Sequence, residues 1–374
     1  MIIAVNIRVL SGNSEISHLL VDCFEMMAAN QPEHEFIFIA EKEFEEQKNS
    51  LQNVKRIILF QQSANPLFWK LWYNYKLPSL LKKVKAAVFI SADGICSLRT
   101  NLPQYLFVND LVFLHHPEWY SKRYLRFIKS NSVGSLQQAK NVFTFSNVLK
   151  NEIVQQYSVA ENKITVVPAT SGKKYKPVSQ RTREQVKEKY TDGKEYFLFS
   201  GAIHPRSSLV NLLKAFSLFK KRQKSNIQLI IASKNNSDDA AFVESLKLYK
   251  YRNEVILIPG INEELLQKIT ASAYACINIS PLHNDIVSLL NAMQCEVPVI
   301  AGNFHIAIEI LGDAALFVNS SLPENIAEKL MLLYKDENKR TDLIKKGIEQ
   351  STKYSLTETA DVLWKNILIT MQSA

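Results

Sequence analysis

Along the chain, short runs rich in Val, Ile, Phe and Tyr alternate with longer stretches in which apolar side chains return every third or fourth position. The first pattern is that of a strand buried on both faces, the second that of a helix with one buried stripe. Their regular alternation predicts parallel sheets covered by helices. In the first half the strand pattern falls at residues 2–10, 35–40, 54–60, 87–91, 104–109, 142–146 and 164–168, with helices near 15–29, 68–83, 122–139 and 147–157. The rhythm stops at 170–194, where Ser171-Gly172-Lys173-Lys174-Tyr175-Lys176-Pro177 is polar and loop-like and precedes a short charged helix over 181–190. It restarts with strands at 196–202, 227–233, 255–259, 276–280, 297–301 and 315–318, and closes on consecutive helices from residue 324. The expectation is two doubly wound α/β domains, 1–172 and 195–354, joined by a linker over 173–194. Ligands of such sheets bind beyond the carboxyl ends of the strands, so the two domains are expected to face each other across a cleft.

A length of 374 residues suits two domains rather than one core. Hydrophobic residues at 47% and charged residues at 22% are globular values, and no apolar run approaches the roughly 18–20 residues that span a bilayer. The first ten residues alternate like a buried strand and lack a basic segment followed by a long apolar one, so a soluble, cytoplasmic protein is expected. Cys23, Cys96, Cys276 and Cys295 lie in apolar stretches without Cys-x-x-Cys spacing, which favours packing thiols over disulfides or metal ligands. The net charge of +9 suits an anionic partner, whether nucleotide diphosphate, acidic lipid headgroup or nucleic acid. Only 10 glycines are present, and glycine is what backbone-cradled phosphate sites generally need.

Four stretches bring a family into view. They are Phe197-Leu-Phe-Ser-Gly201-Ala-Ile-His-Pro-Arg206-Ser207-Ser208; Thr144-Phe-Ser146 through Lys163-Ile-Thr-Val-Val-Pro168 to Tyr175-Lys-Pro177; Val255-Ile-Leu-Ile-Pro-Gly260; and Ser280 to Ile300 with Gly302-Asn303 and Glu309-Ile-Leu-Gly312-Asp313. In order and spacing they resemble the retaining nucleotide-sugar glycosyltransferases of family 4 (group 1), and Asn109-Asp110-Leu111 resembles that family's His-Asp-Leu strand end. The resemblance covers nearly the whole chain. It implies the GT-B fold, two Rossmann-like parallel-sheet domains, with a C-terminal helix over 355–374 crossing back onto the first. It also implies metal-independent, cofactor-free transfer of a hexose, with retention, from a nucleotide-diphosphate sugar to a saccharide or lipid-linked acceptor in polysaccharide biosynthesis.

Such a transfer needs cationic or dipolar groups on the leaving diphosphate and hydrogen bonds that fix the sugar and ribose. By the resemblance, the loop at Gly201 carries Arg206 as a diphosphate contact, while Ser207 stands where the family has a lysine; the helix that follows offers its N-terminus. Arg206 reads equally as a surface or capping arginine. Lys234, at the end of a strand, is a second candidate cation or a solvated loop lysine, and Gly260 is placed on the donor side. The family's two donor-site glutamates, seven residues apart, are replaced by His283 and Asn291. Asn291 can hold ribose hydroxyls as a neutral and weaker partner, and His283 stands near the reacting carbon or is a plain loop histidine. Asn284, Asp285 and Ile286 replace a Gly-Phe-Gly whose amides approach the sugar; the Ile286 side chain is expected to obstruct that approach, and Asp285 to cap the next helix or supply a carboxylate. On the first domain, Gly12 is the one glycine of the loop Ser11-Gly12-Asn13-Ser14-Glu15, Asn109 keeps hydrogen bonding without proton chemistry, and Asp110 is a base or a structural strand-end carboxylate.

His115 and His116 lie in an apolar-aromatic setting and have no third ligand at metal spacing, so no metal is expected. Two basic aromatic stretches, 68–85 and 122–129, are of the kind that rests on an anionic bilayer, or are exposed lysines over a packed aromatic face. No nucleic-acid reader fold is visible. Ser207, His283 and Asn291 together also leave open a second reading, a catalytically inactive relative kept as a binding or complex-forming subunit.

Overall fold

A computed structural model describes residues 1–7, 15–41, 51–59, 66–168, 175–204, 207–234, 240–280 and 286–372. Among these, the strands form two sheets in which every ladder is parallel. The first contains β1 (Ile2–Asn6), β2 (Glu35–Glu41), β3 (Val54–Leu59), β4 (Val88–Ser91), β5 (Gln104–Phe107), β6 (Asn141–Thr144) and β7 (Ile164–Val166), in the order β3-β2-β1-β4-β5-β6-β7. The second contains β8 (Tyr196–Ser200), β9 (Gln228–Ala232), β10 (Val255–Ile258), β11 (Ala275–Asn278), β12 (Val299–Gly302) and β13 (Ala315–Val318), in the order β10-β9-β8-β11-β12-β13. Parallel strands need helical crossovers, which cover both faces and explain the continuous apolar runs. Strand order reverses direction between β1 and β4 in one sheet and between β8 and β11 in the other, and those are the places where such sheets open for ligands.

The chain divides into two compact units, residues 1–169 with 356–374, and residues 170–355. The final helix, Leu356–Gln372, lies on the first unit through buried Leu363, Trp364 and Ile367. Tyr105 Oη donates to the Ile367 carbonyl at 3.2 Å and lies 2.5 Å from Thr370 Oγ1, while Trp364 stacks obliquely on His34. At about 1.5–3 kcal/mol per buried large apolar side chain, this contact is worth on the order of 5 kcal/mol, enough to hold the helix there.

The short charged helix expected within the linker is present as Gln180–Thr191; it groups with the second unit, packs against the helix Glu263–Ser272 and buries Val186 and Thr191. Two elements differ from expectation. The helix expected over 68–83 is Pro66–Leu71 and Leu77–Lys83 with a π-turn, Trp72–Lys76, between them. Pro78 explains the widening: it has no N–H and its ring crowds the carbonyl four residues back, so Leu77 N–H bonds five residues back to Trp72 O. The strand expected to reach residue 109 stops at Phe107, because Asn109 turns to bond the Ala92 carbonyl at 2.9 Å.

Candidate functional site

In the second unit the polar groups gather at the reversal point between β8 and β11. β11 ends in Asn278, a buried amide in an otherwise apolar strand. Its Nδ2 donates to the Ser200 carbonyl at the end of β8 (3.1 Å) and to Ser288 Oγ (3.4 Å), and its Oδ1 accepts from Ser280 N (3.1 Å). One side chain thus ties the tip of β8 and the exit of β11 to the helix Ile286–Gln294. From Ser200 the chain passes through Gly201 to Ser207, whose hydroxyl donates to Ala202 O at 2.5 Å and whose N–H donates to His204 O at 2.8 Å. Ser207 is buried and spends its hydroxyl on folding the loop. Ser208 is left-handed (φ 55°) and begins the helix Leu209–Gln223 without a side-chain cap, so the positive end of a 15-residue helix opens beside the β8 tip with no side-chain acceptor from its N-cap residue.

Lys234, two residues past β9, forms an ion pair with Glu263 in the first turn of the helix Glu263–Ser272. Gly260 occupies an exposed turn at φ 63°, and Ile261 N–H closes that turn onto Ser233 O at 3.1 Å. That left-handed conformation favours glycine, so the turn by itself accounts for the residue. Ile286 and Asn291 are both buried, the first opening the helix Ile286–Gln294 and the second lying within it. Gly12, Arg206, His283, Asn284 and Asp285 lie outside the described residues.

The first unit builds a second polar cluster at its own reversal point. Register sets Asn6, the last residue of β1, opposite Ser91, the last of β4. Asp93 follows in the turn: Oδ2 accepts from Asn6 Nδ2 (3.2 Å) and from Tyr73 Oη, and Oδ1 accepts from Ser91 Oγ (2.6 Å) and Ile95 N (3.3 Å). Tyr73 reaches Asp93 from the π-turn, a deformation found often at functional sites. Beside this cluster lies a cavity of about 70 Å³ bordered by Asp93, Asn109 and Asp110 on the polar side and Tyr120, Tyr124 and Ile128 on the apolar side. It has room for about two waters or a hydroxymethyl group. Asp110 Oδ1 accepts from Val112 N at 3.1 Å, which gives that carboxylate a turn-capping task.

His115 pairs with Glu152, and His116 meets Glu118 at 3.1 Å while stacking on Trp119 with ring centres 3.9 Å apart. Among the described residues no three His, Cys, Asp or Glu side chains converge as a metal-ligand set. All four cysteines are buried, and burial pushes the Cys96 and Cys295 thiols up to about 12, so they stay protonated and inert near neutral pH. The pattern of the sequence did not single out Asn278, Asp93 or Tyr73. A polar residue closing a buried strand was the available signal for Asn278; for Asp93 and Tyr73 there was none, since their partners come from distant parts of the chain.

Comparison with known proteins agrees with this architecture. Residues 180–350 match the family model of the glycosyl transferases group 1. The O-antigen chain mannosyltransferase B of Escherichia coli is 23% identical over 248 residues, which are 66% of this chain and 65% of that protein. The chain therefore aligns with slightly under two thirds of that relative. The O-antigen chain mannosyltransferase RfbU of Salmonella typhimurium is 24% identical over 281 residues, 74% of each chain. Among solved structures, Anabaena HepE in complex with UDP-glucose superposes with a TM-score of 0.74 at 13% identity and full coverage of both chains. Residues 180–350 thus carry a glycosyl transferases group 1 domain, in a chain whose two parallel Rossmann-like units have the GT-B fold.

Proposed function

We propose that this chain transfers a hexose from a nucleotide-diphosphate sugar to a saccharide or lipid-linked acceptor, with retention at the anomeric carbon and without a metal ion or cofactor. Two relatives that are mannosyltransferases of O-antigen chains support mannose as the sugar and a growing polysaccharide as the acceptor. The UDP-glucose complex of HepE supports a nucleotide-sugar donor. A lipid-linked acceptor is met at a bilayer, and peripheral contact with an anionic membrane is part of this reading.

One observation carries the proposal: within the group 1 domain, the uncapped N-terminus of the helix Leu209–Gln223 opens at the β8 tip that Asn278 holds in place. Departure of a nucleoside diphosphate leaves an anion, and backbone N–H groups at a helix N-terminus are a ready site for one. In this scheme Gly201 and the helix N-terminus receive the diphosphate, Arg206 supplies a cation, and Lys234 supplies a second at the expense of its bond to Glu263. Asn291 serves the ribose; His283 and the segment Asn284-Asp285-Ile286 serve the sugar. On the first unit, Gly12 is assigned to the diphosphate and Asn109 and Asp110 to the acceptor hydroxyl, with Asp93 holding the turn beside Asn109 and Asp110.

The test is calorimetric titration with nucleoside diphosphates, followed by nucleotide release from a panel that includes GDP-mannose and UDP-glucose, and proton NMR of the product's anomeric centre. Micromolar-range diphosphate binding, release with one donor and an α-linked product from an α-donor are expected. Absence of both binding and release overturns the reading. Binding without release, unchanged when Asn291→Glu and His283→Glu are introduced together, replaces it with an inactive binding subunit.

A further inference from the structure

One short stretch of the first unit gathers ring side chains beside the cavity at its reversal point: His116, Trp119, Tyr120 and Tyr124. Pro117–Trp119 is a single 3-10 turn, and the helix Lys122–Gln138 that follows is capped by the Ser121 hydroxyl, which accepts from Tyr124 N. The two turns bring the rings together in pairs. His116 lies parallel to Trp119, with ring centres 3.9 Å apart and an interplanar angle of 8°, and Tyr120 lies parallel to Tyr124 at 5.2 Å and 15°. Tyr124 is held in turn by an edge-on contact with Trp69 at 5.9 Å.

Core packing accounts for Trp69, which is buried, but not for the others. Trp119, Tyr120 and Tyr124 are half-buried, and the His116 side chain is 42% exposed. Tyr120 and Tyr124 also belong to the apolar wall of the cavity whose polar wall is Asp93, Asn109 and Asp110. Rings opposite a few fixed hydrogen-bonding groups are the composition of a small-molecule site. One ligand class suits them. A pyranose has a face of C–H groups that an aromatic ring can cover and a rim of hydroxyls that carboxylates and amides can bond, and the cavity has room for its hydroxymethyl group. Trp119 directly precedes Tyr120, and consecutive Cα atoms are about 3.8 Å apart, so a second ring plate begins within reach of the next sugar in a chain. Glu118, whose carboxylate meets His116 Nδ1 at 3.1 Å, sets a hydroxyl acceptor beside that plate.

We propose that residues 116–124 form a subsite for a saccharide chain, in which Tyr120 and Tyr124 seat the terminal pyranose at the cavity and Trp119, braced by His116, seats the sugar before it. The acceptor is thereby recognised through two successive sugars, which makes it a polysaccharide already begun and not a single sugar or a bare lipid carrier. Rings that are stacked on one another before the ligand arrives lose little freedom when it binds, and that favours affinity. Resting on the saccharide-acceptor part of the proposed function, this assignment is independent of the donor chemistry.

The experiment is calorimetric titration of the full chain, without donor, with α-linked mannotriose and maltotriose and with mannose and glucose. One trisaccharide is expected to bind about tenfold more tightly than its own monosaccharide. Trp119→Ala should weaken that trisaccharide about tenfold and leave the monosaccharide unchanged, while Trp119→Phe, which keeps a ring, should retain most of the parent affinity. Tyr120→Ala should weaken both. An unchanged circular dichroism spectrum and an unchanged nucleoside diphosphate affinity show that each variant folds. Equal affinity for trisaccharide and monosaccharide, trisaccharide affinity in Trp119→Ala within about twofold of the parent, or no binding of any of the four sugars would each overturn the proposal. Trisaccharide binding by a chain that releases no nucleotide from any donor would uphold the subsite and overturn the transfer reading, so the two failures are distinguishable.

Discussion

Asn278 offers the sharpest test of how the second unit is held at its reversal point. Truncation to Ala removes both Nδ2 bonds, to Ser200 O at 3.1 Å and Ser288 Oγ at 3.4 Å, and deprives the buried Ser280 N–H of its acceptor at 3.1 Å. Each neutral bond contributes about 1 kcal/mol net, and a buried N–H left unsatisfied costs about 1–3 kcal/mol, so a loss of about 3 kcal/mol is expected. With a urea slope of about 2 kcal/mol/M, the midpoint should fall by about 1.5 M. Far-UV circular dichroism follows both units. Tryptophan fluorescence follows only the first, because Trp69, Trp72, Trp119 and Trp364 all belong to it, and so supplies an internal control. Asn278→Asp should be worse at neutral pH: it keeps the Oδ1 acceptor but sets a carboxylate oxygen against the Ser200 carbonyl. Acid should partly rescue it, because the protonated acid regains a donor; the folded pKa of that carboxyl is raised, and stability returns as pH falls through it. A midpoint drop below about 0.3 M for the Ala variant, or an Asp variant as stable as the parent at pH 7, would refute the account.

Other consequences are as direct. Tyr73→Phe removes one donor from the Asp93 carboxylate while Asn6 stays, and should cost about 1–2 kcal/mol in the transition seen by tryptophan fluorescence. Glu263→Gln removes the carboxylate that pairs with the Lys234 ammonium and should tighten nucleoside diphosphate binding several-fold by calorimetry, whereas Lys234→Gln should weaken it; equal affinity in both would remove Lys234 from the diphosphate site. Gly302→Ala places a methyl 2.3 Å from the Phe304 ring and should cost about 1–3 kcal/mol in the circular dichroism midpoint. Burial raises the Cys96 and Cys295 thiols from about 9 to about 12, so that contribution to stability is complete below pH 9 and declines as pH rises towards 12; urea midpoints against pH should show the decline, and a thiol-specific reagent should label these cysteines only on unfolding.

The two parallel sheets were legible in the residues because strands buried on both faces must be apolar throughout, and β8 or β11 reads that way with no knowledge of its neighbours. Charge was legible in the same way, since the carboxylate-free helices around Trp69 and Arg126 are a matter of composition. The family motif around Gly201 was likewise local. What tertiary structure alone decided is which polar groups meet. Asn278 finds a carbonyl 78 positions away and Asp93 an amide 87 positions away, pairings set by strand order and register and carried by no local pattern. Lys234 reads as a candidate cation or a solvated lysine until the fold places Glu263 beside it, and the short charged helix at 181–190 has no visible partner until its apolar edge finds the helix Glu263–Ser272. Periodicity reports whether a side chain faces a core, but a hydrogen bond or an ion pair needs a partner at about 3 Å, and only the folded chain supplies it.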